Sequence, residues 1–483
     1  MGGLFGIVSK EDCVNNLFHG TDYHFHLGTM RGGLATYKED GPTHVIHDIS
    51  NSQFRSKLEP DLKNLRKSRS GIGVISDIDS QPLTIESHLG KYAIATVGVI
   101  KNIDKLKKEA FRRRSAHFTD LEEGGISQTE MAATLINQEG SFEEGIAYAQ
   151  EAIKGSCSML LLTEKGIYAA RDKLGRTPLT IGKKENAYAA ASESCAFINN
   201  GYDSIERFLG PGEIILLDAE GVEQKKKPNK DMQVCSFLWV YYGFPASEYE
   251  NINTEEVRYS CGNALAKSDE KDIKTGKLKI DMIAGIPDSG TAHGIGYSHE
   301  TGIPFKRPFT KYTPTWPRSF MPQDQKIRNL VANMKLIPIK SMVKDKSILF
   351  CEDSIVRGTQ LGETIKMLKK YGANEIHMRP ACPPLVYGCD FLNFSRSKKI
   401  NELAGIRAMM ELEGLDKRKD VPAEIVRQYS DENSEKYHQM VDWIRDDLSL
   451  DSLKYQKLDD LVKAIGLPKE KLCTHCWDGS SYF

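Results

Sequence analysis

An apolar run that ends on two adjacent acids and then turns through a glycine into a helix constrains a fold more than composition does. Residues 347–368, SILFCEDSIVRGTQLGETIKML, have that form. SILFC reads as a buried strand, Glu352 and Asp353 stand at its carboxyl end, and Ser354, Ile355, Val356, Arg357, Gly358 and Thr359 lead into a helix from Leu361. Carboxylates placed there accept hydrogen bonds from sugar hydroxyls, while the N–H groups of the turn and the helix dipole cradle a phosphate. A second loop, Asp288-Ser289-Gly290, follows the strand KIDMIAGI and offers another anion site with its metal ion. Each loop alone is an ordinary capped strand-to-helix turn. Two on one sheet point to a ligand carrying a phosphate at each end.

The surrounding pattern supports one sheet. After residue 231 helix and strand alternate: a helix near 254–268, KIDMIAGI, a helix near 290–301, SILFC, the helix from Leu361, and EIHMRPA. That order predicts a doubly wound parallel sheet, with its ligand at the carboxyl ends of the strands. Residues 1–230 instead show short strand-like runs, LFGIV, YAIATVGVI, SMLLLTEKGIYAAR, NAYAAASES and GEIILLD. Their helical candidate, SQTEMAATLINQ, opens on Ser127 with Glu130 three residues on, a capping-box pattern. EGVEQKKKPNKD, broken by Pro228, reads as a linker, with Lys225–Lys227 as solvated charge. Residues 401–446 read as a charged, solvated helical insertion. The expected division is 1–230, 231–400, and 401–483.

A chain of 483 residues exceeds one ordinary core. Its 65 Lys and Arg balance 66 Asp and Glu, which gives no electrostatic footprint for nucleic acid or an anionic membrane. The opening MGGLFGIVSKED lacks a basic n-region and a signal-length apolar run, and no later stretch is long and apolar enough to span a bilayer. The expectation is a soluble, cytoplasmic protein. Ten cysteines in such a chain point to reduced, buried or metal-bound thiols.

AGIPDSGTAHGIGYSHETGIPF, RSFMPQDQKIRNLVANMKL and CEDSIVRGT resemble the transferase half of the glutamine phosphoribosylpyrophosphate amidotransferase (amidophosphoribosyltransferase) family. The match has one departure, Glu352 where the family usually carries Asp. The resemblance implies a type I phosphoribosyltransferase that takes phosphoribosylpyrophosphate (PRPP). Ser354 to Thr359 would hold its 5-phosphate, Asp288, Ser289 and Gly290 its pyrophosphate, and Glu352 and Asp353 its ribose hydroxyls at the catalytic centre. Ser289, Glu352 and Asp353 would meet magnesium, and Arg318 to Lys335 would form a closing loop.

ARDKLGRTPLTIGKKENAYAAASESCAF resembles the same family's glutaminase domain, an αββα N-terminal-nucleophile hydrolase. The implied fold is therefore α+β followed by α/β. In that family the first residue after Met removal is a cysteine whose own amine serves as base. Here the position is Gly2. Three further family positions fall on Ser76 for an arginine, Val97 for the asparagine of an oxyanion pair, and Gln128 for an aspartate that grips the amino acid; Gly98 of the pair survives. The resemblance thus implies a degenerate glutaminase, with free ammonia or a partner's ammonia as nitrogen donor.

Some family members hold a four-iron cluster by four cysteines, and Cys235, Cys389, Cys473 and Cys476 fill the corresponding slots, with Cys382 a competitor for the second. Zinc is the rival occupant. His475 reads as a surface residue, Cys13, Cys157, Cys195, Cys261 and Cys351 as buried thiols, and Tyr241, Tyr242 and Phe244 as junction core. The family's YFARPDS is YYGFPAS here, a change on the acceptor side. The expected activity is formation of phosphoribosylamine and pyrophosphate by a homodimer or homotetramer. The alternatives are a non-catalytic PRPP or nucleotide sensor that regulates a true amidotransferase, and transfer to a different amine.

Overall fold

Met159, Leu160, Leu161 and Leu162 are apolar at successive positions, so a strand built from them must bury both faces. The computed structural model, which describes residues 2–112, 118, 126–311, 336–392 and 400–480, buries them between two layers. In the amino-terminal half, strands β1 Gly2–Ser9, β2 Arg31–Lys38, β3 Gly41–Asp48, β4 Ser70–Ser76, β5 Leu83–Ser87, β6 Gly90–Ile100, β7 Gly155–Thr163, β8 Gly166–Ala170, β9 Thr180–Lys184, β10 Ala187–Ala191, β11 Ser204–Phe208, β12 Ile214–Leu217 and β13 Val222–Lys226 form two antiparallel sheets. Their orders are β11-β9-β10-β1-β4-β2-β3 and β13-β12-β8-β7-β6-β5. Leu160 and Leu162 meet Leu4, Val8 and Val74 between the sheets. Met159 and Leu161 face Met131, Leu135 and Ile146 of the helices Gln128–Ile136 and Phe142–Ala152. The helix Val14–Asp22 covers the other sheet through Val14, Leu17 and Phe18. The layers are therefore αββα, as the resemblance implies. Ser127 caps its helix as expected, its Oγ accepting from Glu130 N at 3.1 Å.

The expected linker is partly a strand: Val222–Lys226 is the sheet-edge β13, Lys225 pairs with Glu223 at 2.8 Å, and Lys226 Nζ donates to Gln150 Oε1 at 2.9 Å. Short pairs follow, β14 Val234–Cys235, the hairpin β15 Glu248–Tyr249 and β16 Ile252–Asn253, and, further on, β18 Phe309–Lys311 with β19 Leu336–Pro338. The second core is the parallel sheet β17 Met282–Gly285, β20 Ser347–Glu352, β21 Glu375–Pro380 and β22 Ser452–Leu453, in that order. Alternation sends Ile283, Leu349 and Cys351 toward the helices Thr254–Lys274 and Thr291–Thr301. Met282, Ala284, Ile348 and Phe350 go to the opposite face. A last strand, β23 Leu472–Cys473, pairs with β14.

The charged segment after residue 401 departs from expectation. Its helices Ala404–Leu412, Ala423–Ser430 and Glu435–Asp447 bury Met409, Val426, Met440 and Ile444 in one core with Ile348 and Phe350. Apolar residues spaced three and four apart among charges form a one-sided stripe. The segment is thus a packed layer and not a solvated insertion, and β22 beyond it joins the sheet. No helix among the described residues is long and apolar enough to cross a membrane.

One buried acid ties this half together. Asp269 accepts from Arg379 Nε at 2.5 Å, Tyr297 OH at 2.9 Å and Lys454 Nζ at 3.2 Å. Removing one partner of a buried pair strands the other charge. Asp269→Ala is therefore expected to lower stability by about 3–5 kcal/mol in urea unfolding, and an Asp269→Leu/Arg379→Met double variant to lose less than the single one.

Candidate active site at the strand ends

Gly285 of β17 stands opposite Cys351 of β20 in the parallel register, so the loops that leave the two strands emerge side by side. They nearly touch: a Cβ on Gly290 would lie 2.2 Å from the Cys351 carbonyl oxygen, and one on Gly285 2.5 Å from the Gly290 carbonyl oxygen. Glycine at both positions is required by backbone approach. Across this contact Ser289 Oγ donates to Glu352 Oε1 at 3.1 Å. Asp353 N donates to the same oxygen at 3.1 Å, and Ser354 Oγ to Asp353 Oδ2 at 2.6 Å. Ser289, Glu352, Asp353 and Ser354 thus form one cluster, as two anion loops on one sheet require.

Both acids are buried, Glu352 8% and Asp353 5% exposed. Burial, reinforced by the neighbouring Asp353 carboxylate, pushes Glu352 well above the usual carboxylate range. Past Asp353, Ile355 is buried and Val356 packs partly against the core, so this turn faces outward with its backbone. The N–H groups of Ile355, Val356 and Gly358 donate to no acceptor among the described residues. Gly358 has φ 76°, a left-handed conformation suited to glycine, and starts the helix Thr359–Lys370. Arg357 pairs with Glu402 at 3.1 Å. In the other loop, Asp288 is exposed and paired with Lys311 at 2.8 Å. Arg318 and Lys335 lie outside the described residues.

Two functional candidates had no sequence signal. Arg258, within the helix Thr254–Lys274, donates to the carbonyls of Trp239 at 2.9 Å, Tyr241 at 3.0 Å and Gly243 at 2.7 Å. His293, in the first turn after the Asp288 loop, faces the carbonyls of Arg258 at 3.1 Å and Val240 at 3.3 Å. Burial and then the Arg258 charge hold His293 below its usual range, with Asp353 opposing. These residues fix the turn Leu238–Tyr242 through its carbonyls. Tyr241 and Phe244, expected as core, are 39% and 42% exposed.

In the amino-terminal half Gly2, Ser76 and Val97 lie together. Gly2 pairs with Ser76, and a Cβ on Gly2 would lie 2.5 Å from the Ile75 carbonyl oxygen and 3.3 Å from Val97 Cγ2. Ser76 Oγ accepts from the N–H groups of Ile78 and Asp79, both at 3.2 Å. Gln128 Oε1 accepts from Ile100 N at 2.6 Å. Gly98 has φ 135°, and a Cβ there would lie 1.9 Å from the Ser156 carbonyl oxygen. Asp79, which the sequence did not single out, accepts from Ser127 Oγ at 3.1 Å and Thr129 N at 2.9 Å. Backbone and a valine thus take up the space that a side chain at residue 2 would fill.

Cys235, Cys389, Cys473 and Cys476 line one cavity with Phe237, Leu392 and Trp477. Cys382 is buried in the same apolar cluster but is not among the residues that line this cavity. His475, expected at the surface, is 9% exposed, its ring nitrogens 3.1 and 3.2 Å from the carbonyls of Ser480 and Gly388. Four thiols lining one cavity are a soft donor set suited to iron–sulfur or zinc. Among the described residues, no three His, Cys, Asp or Glu side chains are spaced as ligands of one ion. A single zinc draws all four sulfurs to about 2.3 Å, whereas an iron–sulfur cube holds them farther apart. The other cysteines, Cys13, Cys157, Cys195, Cys261 and Cys351, are buried thiols as expected.

The chain resembles known proteins over both halves. Residues 67–199 match a family model described as a glutamine amidotransferase domain. The amidophosphoribosyltransferase of Bacillus subtilis (strain 168) is 30% identical over 398 residues, 80% of either chain. That of Methanocaldococcus jannaschii is 28% identical over 507 residues, 99% of this chain and 97% of the relative. Among solved structures, the glutamine PRPP amidotransferase from B. subtilis, complexed with ADP and GMP, superposes with a TM-score of 0.81 at 26% identity, covering 99% of this chain and 96% of the other.

The raised Glu352 pKa has a measurable sign. Between the ordinary glutamate value, about 4.3, and the raised one, the folded state binds more protons than the unfolded state, so folding stability falls as pH rises through this window. The stability of the native chain relative to Glu352→Gln is expected to decline from pH 5 to pH 9 in urea unfolding, and to stay level if Glu352 titrates normally.

Proposed function

Because the chain belongs to the amidophosphoribosyltransferase family, we propose that it forms 5-phosphoribosylamine and pyrophosphate from PRPP and ammonia in purine biosynthesis, without hydrolysing glutamine itself. The transferase reading is carried by the Ser289–Glu352 hydrogen bond, which makes two anion loops one site. In this reading the backbone from Ser354 to Thr359 takes the 5-phosphate, Asp288, Ser289 and Gly290 take the pyrophosphate, and Glu352 and Asp353 orient the ribose hydroxyls. Ser289, Glu352 and Asp353 are hard oxygen donors suited to magnesium, which when bound would offset phosphate charge. A cation held there would favour the ionised form of Glu352.

The reaction asks little covalent work of the protein. The bond from the anomeric carbon to the pyrophosphate oxygen breaks, the ammonia lone pair forms the C–N bond, and a proton leaves the new ammonium. Positive charge develops on the ring, so the chain's task is to orient the sugar, accept charge on the leaving group and exclude water. Arg258 and His293 would hold the turn bearing Tyr241 on the acceptor side.

Loss of glutamine hydrolysis is carried by Gly2, whose Cβ position lies 2.5 Å from the Ile75 carbonyl oxygen. The match to the glutamine amidotransferase domain starts at residue 67 and so leaves that position out. Ammonia would come from solution or from a partner protein, and a homodimer or homotetramer is the proposed assembly. The four cysteines are proposed to hold a four-iron cluster, with zinc as the rival.

Pyrophosphate release from magnesium PRPP separates the readings. Ammonium is expected to support turnover and glutamine is not; Asp353→Asn should lower kcat/KM for PRPP by about 10²–10³. Gly2→Cys should leave glutamine inert, because Ser76, Val97 and Gln128 remain. Glutamine-driven turnover by the native chain would refute the account of Gly2, and PRPP binding without turnover would favour the sensor.

A further inference from the structure

We infer that Arg176 is a positioning residue through which the amino-terminal half holds the four-cysteine site closed, so that metal retention depends on how the two halves are seated. The inference rests on the reading of the four cysteines as metal ligands.

Arg176 lies between β8 and β9, yet its side chain lines the cysteine cavity, 1% exposed. Its guanidinium lies 3.6 Å over the ring of Phe391, two residues after Cys389. Nη2 donates to Gln233 Oε1 at 3.0 Å and Nη1 to the Gly155 carbonyl at 3.2 Å. Its own carbonyl accepts from Cys235 N at 3.2 Å, and the carbonyl of nearby Leu174 from Gln233 N at 2.7 Å. Cys235 in turn stands opposite Cys473 in the β14–β23 pair. One residue of the amino-terminal half therefore touches the chain segments bearing Cys235 and Cys389 as well as the cavity between them. Lys101, from the same half, pairs with Asp390 beside Cys389.

Charge and shape act together here. Four thiolates bound to one metal centre would leave it with net negative charge, and a buried cation at its edge would offset that charge strongly where the dielectric is low. A planar guanidinium also stacks on an aromatic face while donating in its plane, which lysine does not reproduce.

The test compares the intact native chain with Arg176→Met, Arg176→Lys and Phe391→Leu, all purified without oxygen. Iron, zinc and sulfide per chain, release of metal to a chelator, and amide exchange of 232–236 and 471–476 are measured, with ammonia-dependent turnover recorded separately. The native chain is expected to hold stoichiometric thiolate-bound metal. Arg176→Met should release it at least tenfold faster, with faster exchange in both segments, and Arg176→Lys should fall between. Phe391→Leu keeps the charge, removes the ring, and should release metal at least threefold faster; it decides the matter if Arg176→Met does not fold. Release at the native rate from Arg176→Met, or from Phe391→Leu in that case, would overturn the inference. A metal-free native chain with full ammonia turnover would overturn both it and the four-thiolate reading, leaving the transferase reading intact.

Discussion

The approach of Gly290 to the Cys351 carbonyl governs the transferase half. A side chain at 290 would hold the loops apart, and without their contact Ser289 would not reach Glu352. The register of β17 on β20 sets that approach, and helices on both faces fix the register. Two acids are then held next to each other out of water, and burial together with the Asp353 charge raises the Glu352 pKa. Stability is given up locally to keep that pair, a common property of functional sites.

The amino-terminal half is packed in complete layers, two sheets covered by helices. Its strands bury side chains on both faces, between the sheets and beneath the helices. At Gly2 the space of a side chain is taken by the Ile75 carbonyl and Val97. What this half contributes is seen at its seam with the other. Glu193, buried, accepts from Tyr249 OH at 2.7 Å and lies 3.1 Å from His26 Nε2, while Ser247 Oγ accepts from Cys195 N at 3.2 Å. Together with Arg176, these contacts make the first half a support for the elements on which the second depends.

The parts legible in the sequence were those encoded locally. SILFCEDS carries its strand and its acids in consecutive residues, and the structure places Glu352 as the last residue of β20. The run SMLLLT announces a strand with two buried faces. Residues 31–48, RGGLATYKEDGPTHVIHD, were not recognised as a hairpin because glycine and charge interrupt their alternation, although β2 and β3 pair there along their full length. The helices after 404 were misjudged because their apolar stripe is thin and its partners, Ile348 and Phe350, lie more than fifty residues away. Arg258, His293 and Arg176 were invisible for a related reason. Their hydrogen-bond partners are largely backbone carbonyls, and no local pattern marks a carbonyl as an acceptor for a distant side chain.

The central claim is that the ends of two neighbouring strands grip one sugar bearing phosphates at both ends. A crystal structure of the protein with PRPP and magnesium tests it most directly. The 5-phosphate is expected on the backbone of Ile355 to Gly358, the pyrophosphate against Ser289 and Gly290, and the ribose hydroxyls facing Glu352 and Asp353. A ligand bound elsewhere, or one whose two phosphate ends do not reach both loops at once, would contradict it.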